Sequence, residues 1–130
     1  MSSTKGGGLI IDYGKKSYSS NSLRAIRDHK FKKLFDNVGE ADLSVDVDFS
    51  LLMHAFENVI TLGPMSQRSC LKNMGIETRL DLLVSANPEK RDEISNSVQR
   101  LVGTDEKSMG LAYKVMAVIT DEKPILPFHL

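Results

Sequence analysis

The run Leu111-Ala112-Tyr113-Lys114-Val115-Met116-Ala117-Val118-Ile119-Thr120 is apolar on both of its alternating faces. Leu111, Tyr113, Val115, Ala117 and Ile119 share one side, and Ala112, Met116 and Val118 make the other apolar too. A strand of that kind has to be covered on both sides, so it predicts a central position in a sheet with further layers around it. The competing reading of the same run is a buried helix, because Ala, Leu, Met and Lys are good helix formers.

Other segments supply those layers. Leu43 to Phe49 alternates with period two, which predicts a strand with Leu43, Val45, Val47 and Phe49 inward and Ser44, Asp46 and Asp48 outward. Ile76 to Val84 alternates as well and predicts a second strand that buries Leu82. Helices are expected from about Ser20–Ser22 to Gly39, and from Ser50 to Ile60, where Gly63-Pro64 stops the chain. A short helix should start at Ser66 and close at Gly75, and another should follow Asn87-Pro88-Glu89, with Gly103 as its stop.

The expected fold is therefore α+β: a small mixed or antiparallel sheet of about three strands, packed with about four helices. A flexible glycine- and serine-rich basic arm is expected over residues 1–20, one compact domain over 21–123, and an extended proline-containing tail over 124–130. At 130 residues, one domain is the natural count.

Charge is distributed unevenly. The chain has formal net charge zero, yet residues 1–36 hold eight basic and three acidic side chains, and the remainder is acidic by the same margin. This points to an anionic partner, a membrane surface or nucleic acid, for Lys15, Lys16, Arg24, Arg27, Lys30, Lys32 and Lys33. Tyr13, Tyr18 and Phe31 are interleaved with Lys15, Lys16, Lys30, Lys32 and Lys33, the pairing used to bind single-stranded nucleic acid. The apolar triplet Leu9-Ile10-Ile11 on the arm has to dock, either on the chain's own sheet or on another copy. It marks the candidate self-association site and makes a homo-oligomer the expected state.

Catalytic signals are sparse. His29, His54 and His129 have no H-E-x-x-H context, Gly6-Gly7-Gly8 is not a phosphate loop, and no G-x-G-x-x-G or G-x-S-x-G occurs. Cys70 is the single cysteine and excludes both an internal disulfide and a cysteine zinc site. Asp46 and Asp48 on one strand, with Asp81 on the next, form the one carboxylate set suited to a divalent cation.

The favoured reading is a non-enzymatic assembly, structural or adaptor protein, similar in layout to small viral matrix-type proteins, with no metal or cofactor. A sequence-nonspecific RNA- or DNA-binding protein is the first alternative, and a carboxylate-metal enzyme at Asp46, Asp48 and Asp81 the second. The expected location is a cytoplasmic, reducing compartment, including a membrane- or particle-associated state. No apolar run approaches the ~20 residues of a membrane span, and there is neither a secretory h-region nor a myristoylation acceptor at Ser2.

Overall fold

The computed structural model describes residues 5–17, 21–36, 38–121 and 125–128. They form a mixed α/β structure with four α-helices and two sheets. Strand β7 (Tyr113–Ile119) takes the central place that its two apolar faces predict. It is flanked by β1 (Gly7–Lys15) and β6 (Ile60–Ser66), both antiparallel to it. A two-residue strand, β5 (Val47–Asp48), runs parallel to β1 and completes the order β5-β1-β7-β6. A second sheet has the order β3-β2-β4, from β2 (Arg24–Arg27), β3 (Lys30–Lys32) and β4 (Asp42–Ser44).

Met116 of β7 is buried on one face of the larger sheet, while the largest buried cluster lies on the other. Leu62 of β6 and Val115, Ala117 and Ile119 of β7 are buried there with Cys70 and Phe128. Cys70 comes from α2 (Gln67–Asn73), and Phe128 from a turn in which its N–H donates to the Ile125 carbonyl at 2.8 Å. Gly63 lies under that turn at φ +94°, and a Cβ on it would stand 2.8 Å from the Val115 carbonyl oxygen. Only glycine suits both conditions. Gly63-Pro64 therefore sits inside β6, at an irregularity of register between Leu62 and Met65, and not at a helix end.

Three helices pack together beside this sheet. Ser66 caps α2, its hydroxyl accepting from the Ser69 N–H at 3.1 Å. Helix α3 (Ile76–Ala86) follows Gly75, whose φ of +82° turns the chain between the two. A single 3₁₀ turn at Pro88–Lys90 leads into α4 (Arg91–Val102). The last carbonyls of a helix lack intrahelical partners. Here Gln67 Nε2 donates to Leu101 O at 2.9 Å and Arg68 Nη1 to Val102 O at 2.6 Å, so α2 ties down the end of α4.

Several expectations are corrected. About three strands were expected, and the described residues hold seven. The helix expected over 21–39 is the β2–β3 hairpin: Arg27 pairs with Lys30 across Asp28 and His29, which have φ of 53° and 57°. Two successive positive φ values make the two-residue turn whose twist suits a hairpin. Of the apolar residues expected on that helix's buried face, Leu23 and Phe35 are open at 49% and 85% exposure, and Ile26 and Leu34 are half-buried.

The strand expected over 43–49 is divided between two sheets, which cancels its single inward face. Leu43 and Val45 are exposed, while Phe49 is fully buried at the start of α1 (Phe49–Ala55). The strand expected over 76–84 is α3, where Ile76, Leu80 and Val84 share a half-buried helical stripe and Leu82 faces outward. Residues 7–15 of the expected arm are the paired strand β1, and Ile125 to Phe128 of the expected extended tail make a turn.

Candidate functional site

The two sheets meet at Tyr13, near the carboxyl end of β1. The β1–β7 register sets Tyr13 opposite Tyr113, and the rings stand edge to face with centroids 5.3 Å apart. The Tyr13 hydroxyl is 2.7 Å from Ser44 Oγ of β4. The Arg24 guanidinium of β2 lies 4.8 Å from the Tyr13 ring centroid, a cation–π contact. Arg24 Nη1 also donates to Asp46 Oδ1 at 2.8 Å and to the Ser22 carbonyl at 3.3 Å. The Asp46 N–H in turn donates to Ser22 Oγ at 3.2 Å. The hydrogen bond to Asp46 holds the arginine's pKa above its usual value, against the opposing effect of desolvation.

Immediately beyond, β1 and β5 run parallel, with Gly14 beside Val47 and Lys15 beside Asp48. Crevices past the carboxyl ends of parallel strands are where open α/β sheets bind ligands. Asp48 ends β5 and caps α1, accepting from the Ser50 N–H at 2.9 Å and the Leu51 N–H at 3.2 Å. The Ser50 hydroxyl, donating at 2.6 Å, is the largest cause holding the Asp48 carboxyl below the ordinary aspartate range. Next to it, Lys16, Ser50, Met53, His54 and Thr61 line a shallow open depression.

The cations singled out in the sequence do not share one surface. Arg24 is turned toward Tyr13 and Asp46. Arg27, Lys30 and Lys32 stand on the opposite face of the small sheet by register, with Arg27 hydrogen-bonded to Glu40. Lys30, Lys32 and Lys33 are exposed on and beyond β3, and Lys15 and Lys16 lie at the carboxyl end of β1. Leu9, Ile10 and Ile11 pair with Ala117, Met116 and Val115 of the same chain.

The carboxylate set is not assembled. Asp46 serves Arg24, Asp48 caps a helix and Asp81 lies on α3, and no group of three metal-binding side chains occurs among the described residues. His29 occupies the hairpin turn, and His54 is an exposed side chain 3.8 Å from Glu57. Cys70 is buried, and desolvation pushes its thiol up. Tyr18, Pro124 and His129 lie outside the described residues. In the sequence Tyr13 and Arg24 point to an anionic partner and Asp46 to a divalent cation, and their union with Ser22 and Ser44 is not foreseen.

A family model described as "Putative S-adenosyl-L-methionine-dependent methyltransferase" matches residues 2–65. The chain is 38% identical over 116 residues to "Protein arginine methyltransferase NDUFAF7, mitochondrial" of Danio rerio, covering 88% of this chain and 27% of that protein. It is 36% identical over 125 residues to the Homo sapiens protein of the same name, covering 92% and 27%. A crystal structure of a Burkholderia thailandensis protein bound to S-adenosyl-homocysteine matches with a TM-score of 0.75 and 26% identity, over 88% of this chain and 32% of that one. A second structure from the same organism matches at 0.78 and 26%, over 90% and 34%. The chain thus spans about a quarter to a third of the length of the proteins it resembles. This likeness overturns the reading as a non-enzymatic assembly or adaptor protein, and with it the matrix-like, structural and RNA-binding descriptions.

Proposed function

We propose that this chain forms part of an S-adenosyl-L-methionine-dependent methyltransferase that acts on a protein. The observation that carries the reading is the identity of 36–38% to proteins named as protein arginine methyltransferases, extending over 88–92% of the chain. The match to a structure holding S-adenosyl-homocysteine, the product left when that methyl donor has given up its methyl group, supports it.

The described residues do not by themselves build a seat for the cofactor. Every buried side-chain nitrogen or oxygen among them already has a hydrogen-bond partner. Arg24 already lies against the Tyr13 ring, and the space over Gly14 is filled by the Val47 carbonyl and the Phe49 ring. In this reading the chain's part is mechanical. Arg24, Asp46, Ser44 and Tyr13 hold the small sheet at a fixed angle beside the carboxyl ends of β1 and β5, where a ligand seated on neighbouring strands would meet it.

The curated relatives carry "mitochondrial" in their names, and no helix among the described residues is long and apolar enough to cross a membrane. An intracellular placement belongs to the same proposal, with the free, buried Cys70 as its support.

The test is a chimera in which this chain replaces the matched 116 residues of the Danio rerio protein. Transfer of labelled methyl groups from S-adenosyl-methionine to protein is the expected result. A chimera that melts cooperatively yet transfers no methyl group overturns the reading.

A further inference from the structure

Two rows of apolar side chains cross the larger sheet on its core face: Leu62–Ala117–Leu9 and Met65–Val115–Ile11, each set by direct cross-strand pairing. Over β7 the rows are sealed, Ala117 at 0% and Val115 at 1% exposure. Over β1 the same rows lie open, Leu9 at 56% and Ile11 at 51%. The covering layer of α2 and the 125–128 turn thus stops short of β1.

The outer edge of β1 is open as well. Among the described residues β5 pairs only with Gly14 and Lys15, which leaves Gly7 to Tyr13 with no strand on that side. A long, apolar, unpaired edge is a template for further pairing. Burying either aliphatic side chain is favourable, and strand addition supplies the backbone hydrogen bonds at the same time.

We infer that the Gly7–Tyr13 edge and the Leu9/Ile11 patch receive a strand and an apolar-faced helix from polypeptide corresponding to the two thirds of the relatives that this chain does not span. Both solved neighbours contain this fold inside a chain about three times as long, of which this chain covers 32–34%. That likeness favours such a partner over a second copy of the chain. The inference rests on the methyltransferase reading for the partner's identity, and on geometry alone for the surface. It also explains why the cofactor seat is not built here: the strands and loops that complete it would arrive with the added layer.

The test co-expresses the intact chain, tagged, with the part of the Danio rerio protein outside the 116 matched residues. The expected result is a one-to-one complex whose recovery falls at least tenfold with Ile11→Asp or Leu9→Lys and is unchanged by Lys32→Glu. Because Ile11 is half open in the free chain, its variant should melt close to the parent, which separates lost docking from lost folding. Three results would overturn the inference: no recovered partner, recovery indifferent to Ile11→Asp, or a dimer of the chain alone that Ile11→Asp dissociates. A complex that forms as expected but binds no S-adenosyl-homocysteine supports the docking surface and counts against the methyltransferase reading.

Discussion

Gly14 and Val47 touch backbone to backbone: a Cβ built on Gly14 would stand 2.2 Å from the Val47 carbonyl oxygen and 3.0 Å from the Phe49 ring. The glycine is needed for this close approach of β1 to β5. Gly14→Ala forces the strands apart at the carboxyl end of the sheet. Overpacking of this kind costs about 1–3 kcal/mol, and more is expected here because backbone has to move. A urea titration reads it, and an unchanged midpoint would show that β5 is not held against β1.

Arg24 and Asp46 should be energetically coupled. They share a 2.8 Å ion pair with side chains 29% and 22% exposed, and Arg24 also contacts Tyr13. Contacting residues in one network show interaction energies of about 0.5–3 kcal/mol in double-mutant cycles. The Arg24→Ala, Asp46→Ala cycle should fall in that range, whereas Lys32→Ala with Asp46→Ala should be additive. Additivity in the first cycle would mean that the two sheets are joined some other way.

Met116 and Leu82 should differ sharply. Met116 is fully buried and Leu82 is 67% exposed on α3. Met116→Ala should destabilise by about 2–5 kcal/mol, and Leu82→Ala should stay within about 0.5 kcal/mol. Comparable losses would place Leu82 in a core and return residues 76–84 to a strand.

Asp48 should make the start of α1 sensitive to acid. Its carboxylate is stabilised in the folded state, first by the Ser50 hydroxyl and then by backbone N–H groups, so its folded pKa lies below the unfolded one. Such a group contributes stability above the unfolded pKa and loses it as pH falls through the folded value. Asp48→Ala should therefore melt below the parent at neutral pH, and the gap should close once both are below the aspartate range. A gap that widens in acid would contradict the cap.

The parts of the fold that were legible in the sequence carry local signals. The two apolar faces of β7, the Ser66 cap and the Pro88 start all act within a few residues. The β2–β3 hairpin was hidden because Asp28-His29 contains no glycine, although both residue types tolerate a left-handed backbone better than most. Helix α3 was hidden by coincidence. Ile76, Leu80 and Val84 recur every fourth residue, and Thr78 and Leu82 between them complete a false alternation. The Tyr13, Arg24 and Asp46 cluster had no signature, because its members come from β1, β2 and the segment after β4 and meet only through tertiary pairing.

The pairing of β1 with β7 also sets the order of events at the ribosome. The Gly6 N–H donates to Thr120 Oγ1 across 114 positions of sequence. Strand β1 is made well before its partner β7, so the two cannot pair until the whole stretch between them has been synthesised. Contacts this distant in sequence slow folding. Throughout that wait Leu9, Ile10 and Ile11 lack their β7 partners on the nascent chain, a segment for chaperones to hold.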